Sequence, residues 1–211
     1  MQESDRKHII LGYSGHGIVV AEAAILQKLN LKSYAESEEK TLNPFDLTFA
    51  GNDADESFAF WNSKFKFILG VGNNRIRARL ADAINRKGLD LATVIHPNCS
   101  ISLLSNIGQG TFVARGVMVN PLCEIGANVI LNTGSSIDHE CIIHDNVHVA
   151  PNAVLAGNVT VENGVFIGAN AVVKQGVVIG ENAIIGAGAV IVKDVLPNTT
   201  MVGNPAKELR K

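Results

Sequence analysis

The stretch that decides the fold runs from Ile95 to Leu196: IHPNCS ISLLSN IGQGTF VARGVM VNPLCE IGANVI LNTGSS IDHECI IHDNVH VAPNAV LAGNVT VENGVF IGANAV VKQGVV IGENAI IGAGAV IVKDVL. It divides without insertion into seventeen six-residue units. The first position is always Ile, Val or Leu, and the fifth is always a small residue: Cys, Ser, Thr, Ala or Val. An aliphatic residue followed four positions later by a small one sets a large and a small side chain at one corner of a narrow interior. Units built this way stack as a solenoid. All three cysteines, Cys99, Cys123 and Cys141, fall on the inward fifth position, so they read as small buried hydrophobes. Their odd number and the lack of a CxxC pair argue against a disulfide framework or a structural zinc site.

Upstream of Ile95 the six-residue phase disappears. Short apolar runs alternate with helical stretches, which predicts a small α/β domain over 1–94 before the repeat domain over 95–211. HIILG (His8 to Gly12) reads as a buried strand running into the turn Gly12-Tyr13-Ser14-Gly15-His16-Gly17, followed by a helix over Ile18 to Leu29. FKFILGVGNN (Phe65 to Asn74) repeats the device, with Gly72-Asn73-Asn74 leading into a helix from about Arg75 to Lys87. Backbone amides at such strand-to-helix turns suit phosphates. The glycine spacing is G-x-x-G-x-G rather than G-x-G-x-x-G, and no Asp follows the second strand, which disfavours NAD. A tight turn with no ligand explains the glycines equally well.

The 211 residues carry a net charge of −2, with 46% hydrophobic and 18% charged side chains. Without a dense Lys/Arg run, nucleic acid and anionic membrane surfaces are poor partners, and no segment approaches the apolar length of a membrane span. The opening MQESDRKHIILGYSGHG lacks an apolar stretch of signal-peptide length, so a cytoplasmic location is expected. The partner is then a small molecule or another subunit.

In its repeats the segment resembles the hexapeptide-repeat acyltransferases. The resemblance implies three units per triangular coil of eighteen residues, left-handed connections, and five to six coils about 4.8 Å apart. The order of a small Rossmann-like α/β domain and then the helix, with GYSGHG and the later GNN, resembles the nucleotide-sugar N-acetyltransferases and sialic-acid O-acetyltransferases of bacterial glycan pathways. That resemblance implies a nucleotide held by Gly12, Ser14, Gly15, His16, Gly17, Gly72 and Asn73. Members commonly carry an Asp pair after the second strand; this chain has Tyr34-Ala35-Glu36, leaving Glu36 as the candidate contact to the base.

Within Ile137-Asp138-His139-Glu140-Cys141, His139 takes the third position of its unit, outside the core, and the subfamily has its catalytic His-Glu pair at this motif. His139 is the expected general base, with Glu140 orienting the ring or meeting substrate. One coil later lies Gly157, expected as an open notch where a thioester approaches and a backbone amide meets its oxygen. The resemblance further sets Asn132, His148, Gly168, Ala169, Ala187, Gly203 and Pro205 along acetyl-CoA, the last two in the tail Val202-Gly203-Asn204-Pro205-Ala206-Lys207. No Ser or Cys stands beside His139 as a nucleophile, so transfer is expected to be direct. The implied reaction is N-acetylation of a UDP-linked 4-amino-4,6-dideoxy sugar in a homotrimer with sites between subunits, without a metal.

Three other readings compete. O-acetylation of sialic acid would use the same base. A carbonic-anhydrase-like zinc site is suggested by His139-x4-His144, but the third ligand two coils earlier would fall on Leu103. A non-catalytic scaffold is open to any solenoid. His8, His96 and His144 read as inert surface histidines.

Overall fold

The computed structural model describes residues 6–55 and 58–209. The chain forms two compact units, Met1–Pro97 and Asn98–Lys211. The first is a five-stranded parallel sheet built from β1 (Lys7–Leu11), β2 (Leu31–Ala35), β3 (Thr48–Phe49), β4 (Phe65–Leu69) and β5 (Asp90–Leu91), with α1 (Gly15–Leu26) and α2 (Asn74–Arg86). Strand order is β3-β2-β1-β4-β5, so the chain reverses direction across the sheet between β1 and β4. Ile9, Ile10 and Leu11 are fully buried, as expected of a parallel strand covered on both faces. Ile9 pairs with Phe67 and Leu11 with Leu69, and these join Ala81 and Ile84 of α2 in one apolar cluster.

Both helices start earlier than the apolar periodicity suggests. Ser14 has extended dihedrals and takes the N-cap position, so α1 begins at Gly15 rather than Ile18. It ends at Leu26, ahead of Leu29, where Lys28 turns left-handed at φ 66°. Asn73 caps α2, its side chain accepting from the Ile76 N–H at 3.1 Å. His8 and His96 are 5% and 3% exposed, which corrects their reading as surface residues. His8 belongs to a central strand, and burial followed by repulsion from Lys66 lowers its pKa.

In the second unit each repeat contributes a two-residue strand, and strands pair in parallel at an offset of eighteen: Val119 with Ile137, Ile137 with Leu155, Ile125 with Ile143, Ile130 with His148. First and fifth positions point inward. Leu131, Ile137, Val147, Val149, Leu155 and Val165 are all fully buried. At four of its polar occupants the fifth position does more than fill space. Ser105 Oγ, Thr111 Oγ1, Cys123 Sγ and Cys141 Sγ donate to the carbonyls of Asn120, Gly126, Asp138 and Ala156, at 2.7, 2.9, 2.9 and 3.2 Å. Two of the cysteines are therefore small core residues that also satisfy a buried carbonyl. Cys99, in the opening repeat, is only part-buried.

A further rule governs the corners. From Gly110 to Gly188 every fourth position has positive φ, and the residues there are Gly or Asn except at Leu122 (66°) and Glu140 (60°). Glycine has no Cβ to clash, and the short Asn amide tolerates the left-handed region; Leu and Glu do so at a cost of about 1 kcal/mol.

Candidate active site

Leu122 and Glu140 are eighteen residues apart, so the two exceptions stack in one column beside the corner that carries His139. That corner is tightly specified. Asp138 N–H donates to Leu155 O at 2.9 Å, Glu140 N–H to Pro121 O at 3.1 Å, and Asn158 N–H to His139 O at 2.8 Å. His139 and Glu140 are 46% and 58% exposed at the side chain, and His139 Nδ1 lies 2.9 Å from Glu140 Oε2. Adjacent side chains on an extended strand point to opposite faces. Here they converge because the left-handed Glu140 swings its carboxylate back toward the ring. A carboxylate only accepts, so Nδ1 carries the proton and Nε2 presents its lone pair.

Gly157 sits directly beyond His139 in the stack. A Cβ built there would be 2.5 Å from Cε1, 2.6 Å from Nε2 and 3.1 Å from Nδ1 of His139. The open notch expected at this position is thus filled by the imidazole itself, with Cε1 and Nε2 nearest the glycine. Asp138 completes the corner: its Oδ1 accepts from the His139 N–H at 2.8 Å and from Asn120 Nδ2 at 2.7 Å. These contacts, the Asn120 bond foremost, hold its carboxyl below the usual range. Neither Asp138 nor Asn120 was singled out by the sequence reading; the matching second positions one coil apart were the available signal.

Asn132 and His148 meet one another at a different corner. Asn132 Nδ2 donates to His148 Nε2 at 3.2 Å, and the buried His148 ring meets Phe166 edge-on at 5.1 Å. Asn132 and His139 belong to successive repeats and flank different turns, so they occupy different corners of the coil. Above Asn132 the stack continues through Ala150, Gly168 and Gly186, since Asn132, Ala150 and Gly168 donate in turn to Val149, Ile167 and Ile185. Ala169 and Ala187 lie alongside, with Ala169 O accepting from Gly188 N–H. A Cβ on Gly168 would be 2.6 Å from Ala187 N, so backbone packs directly on backbone here. The tail closes the same end: Gly186 donates to Met201, Val190 to Gly203, and Ala206 to Val190, leaving Gly203 and Pro205 exposed. At Gly168, Ala169, Gly186 and Ala187 this corner carries no side chain larger than a methyl group.

At the third corner His144 Nε2 lies 3.7 Å from Glu162 Oε2. Leu103 occupies the column of His139, and among the described residues no group of three or more His, Cys, Asp or Glu side chains could hold a metal ion.

The sequence-assigned nucleotide residues gather at the C-terminal ends of β1 and β4, the crevice where the strand order reverses and ligands of such sheets bind. Their roles divide. Gly12 (φ 88°) and Gly17 are needed for packing, since a Cβ on Gly12 would meet Val71 at 2.6 Å and one on Gly17 would strike the Gly12 carbonyl. Ser14 and Gly15 are exposed at the start of α1, with nothing within 4 Å of a Cβ on Gly15. Asn73 uses its Oδ1 for the helix cap. Gly72 lies under His16, and burial, with Arg77 adding repulsion, brings the His16 pKa down to about 4. Glu36 reaches back to the turn: Oε1 accepts from the Tyr13 N–H at 3.1 Å and Oε2 from the Ser37 N–H at 3.2 Å. A second carboxyl missed in the sequence, Asp53, lies close enough to Glu36 for their repulsion to add to burial in raising its pKa.

No helix among the described residues is long and apolar enough to cross a membrane.

Residues 7–84 match the model of the PglD N-terminal domain, and residues 122–157, 140–175 and 158–193 match the bacterial transferase hexapeptide (six repeats) model. The acetyltransferase domain of PglB from Neisseria gonorrhoeae FA1090, solved with acetyl coenzyme A, is 32% identical with a TM-score of 0.89, covering 97% of this chain and 99% of that one. PerB from Caulobacter crescentus, solved with CoA and GDP-perosamine, is 30% identical with a TM-score of 0.90 over 98% of each chain. The GDP-perosamine N-acetyltransferase of Escherichia coli O157:H7 is 37% identical over 87 residues, 41% of this chain; the matched stretch spans 39% of that relative's length. With the parallel sheet and the six-residue solenoid matched in the same order along nearly its whole length, the chain belongs to the nucleotide-sugar N-acetyltransferase subfamily of the left-handed β-helix hexapeptide transferases.

Proposed function

We propose that the protein transfers the acetyl group of acetyl-CoA to the amine of a nucleotide-linked amino sugar, with His139 as general base. The observation that carries this reading is the contact between His139 Nδ1 and Glu140 Oε2 at 2.9 Å, which leaves Nε2 free to take a proton. A sugar amine is mostly protonated near neutral pH and cannot attack until a proton is removed. His139 takes that proton first, and Glu140 favours the imidazolium that results. The freed amine attacks the thioester carbonyl, and the tetrahedral intermediate collapses by breaking the C–S bond and passing its extra N–H proton to the departing CoA sulfur. Acetyl-CoA supplies the acyl group with a thiolate that leaves. Asn132 and His148, with the small-residue corner of Gly168, Ala169 and Ala187 and the tail at Gly203 and Pro205, line the acyl-CoA, and the Gly157 amide faces the carbonyl whose charge develops. The crevice at Gly12, Ser14, Gly15, His16, Gly17, Gly72 and Asn73 takes the diphosphate, with Glu36 on the nucleoside side.

Because His139 and Asn132 occupy different corners of one solenoid, a complete acyl site needs the corner of a second copy beside the first. This supports a homotrimer in which each site is shared. The nucleotide is UDP on the sequence reading, and GDP is the direct alternative, since PerB was solved with GDP-perosamine.

The test is thiol release from acetyl-CoA with UDP-, GDP- and CMP-linked amino sugars and free sialic acid, comparing wild type with His139→Ala. Turnover with one amino sugar that falls 10²- to 10⁴-fold in the variant is expected, on the order of a lost general base. Turnover with sialic acid alone would replace N- by O-acetylation. No turnover and no acetyl-CoA binding would remove the transferase reading.

A further inference from the structure

We propose that Asp138, anchored by Asn120, is a positioning residue for the His139–Glu140 pair; the inference rests on the reading of His139 as the base. Glu140 occupies a backbone region that a glutamate adopts only at a cost, with φ 60° where every other corner from Gly110 to Gly188 except Leu122 uses Gly or Asn. A strained residue persists only where its surroundings over-determine it. At this corner the extra constraint is visible. One oxygen, Asp138 Oδ1, accepts both the His139 N–H at 2.8 Å and the Asn120 side-chain amide at 2.7 Å, while the Asp138 carbonyl accepts from Cys123 Sγ at 2.9 Å. The peptide that enters His139 is therefore gripped from outside by one coil's Asn and from inside by the same coil's Cys. The peptides that follow are fixed by Pro121 O and Asn158 N–H. The arrangement sets the Cα of His139, and with it the reach of Nδ1 to Glu140.

Asp138 acts here as an acceptor of fixed geometry rather than as a charge. Its exposed carboxylate faces the His139 backbone N–H, and no step of the reaction requires its proton. An asparagine in its place presents the same Oδ1 to the same two N–H groups. The experiment measures kcat and KM for both substrates in Asp138→Ala, Asp138→Asn and Asn120→Ala, with His139→Ala as the reference and thermal unfolding for each variant. Asp138→Ala is expected to lower kcat 10- to 100-fold with KM for acetyl-CoA within twofold, the scale of a base displaced by a fraction of an ångström to an ångström. Asp138→Asn is expected to keep at least a third of wild-type kcat, and Asn120→Ala to fall between the two. Wild-type kcat in Asp138→Ala would overturn the proposal, as would an Asp138→Asn variant that folds normally yet is as slow as Asp138→Ala. Full activity in His139→Ala would instead remove the base reading on which the proposal rests.

Discussion

Replacing Gly157 with alanine separates stability from catalysis at a place where an added side chain would press on the imidazole. The added methyl would sit 2.5 Å from His139 Cε1 and 2.6 Å from Nε2, against an ordinary carbon contact of about 3.5 Å or more, so the ring must retreat by about 1 Å. Nothing rigid opposes that retreat, since the ring is the half-exposed end of a side chain. Gly157 is not among the positive-φ glycines, so alanine fits its backbone, and the loss of chain entropy in the unfolded state contributes a few tenths of a kcal/mol toward stability. The expected variant is as stable as wild type or slightly more so, yet about 10²-fold slower in kcat, the usual effect of misplacing a reacting group by 1 Å. Thiol release under saturating substrates and differential scanning fluorimetry read the two quantities on the same sample. Gly168→Ala is the control, because its methyl would meet the main chain of Ala187 and Ile185 at 2.6 Å, where no side chain can yield. It should lose several degrees of Tm. A Gly157→Ala enzyme with more than half of wild-type kcat would refute the placement of the ring in the working enzyme.

Glu140→Asn should raise Tm, by an amount equivalent to about 1 kcal/mol, because asparagine relieves the left-handed strain, and should lower kcat by removing the carboxylate from His139 Nδ1; unchanged kcat would deny Glu140 any part in catalysis. The His16 pKa is about 4 in the fold against 6.5 unfolded, so the unfolded chain binds the extra proton between those values. Stability of the N-terminal unit should accordingly fall by about 3 kcal/mol as pH drops from 6.5 to 4, with His8 adding in the same sense, and the His16→Gln variant should show a flatter urea-midpoint profile over that window. Native protein treated with a maleimide should be labelled at Cys99 alone, and slowly, with Cys123 and Cys141 modified only in denaturant; mass spectrometry of the digest reads this directly.

The solenoid was legible because its core is written in two positions of every six, and the offset of eighteen in the pairing of Val119, Ile137 and Leu155 follows from their spacing. The α/β unit was legible in its strands and turns, less so at helix starts, since Ser14 and Gly15 begin α1 without an apolar residue to mark them. The assigned site residues were harder to read because sequence gives a column but not a direction. Gly157 falls in the column of His139 by arithmetic, yet that the ring packs against the glycine depends on a rotamer. Asn73 and Glu36 show the converse. Each stands where a ligand contact was expected, and each has a local partner, the Ile76 amide for Asn73 and the Tyr13 amide for Glu36. Nothing in the order of residues distinguishes a polar side chain that waits for substrate from one that already caps its own backbone.

The fourth position carries the remaining lesson, and it is one the sequence holds openly. A corner that needs positive φ accepts Gly or Asn at no penalty, so a long row of corners filled by those two residues is what folding alone would produce. A Glu at that position lowers stability, and the fold gains nothing from it. Glu140 is tolerated because the same left-handed turn that strains it also aims its carboxylate at the neighbouring ring, a geometry that no regular strand or unstrained corner could give to two consecutive side chains. A polar residue that departs from the position-specific rule, as Glu140 does and Leu122 does not, therefore points to chemistry more sharply than the residue type alone. Three of the six histidines, His8, His96 and His148, are buried in the fold, whereas only one histidine precedes a Glu at a left-handed corner.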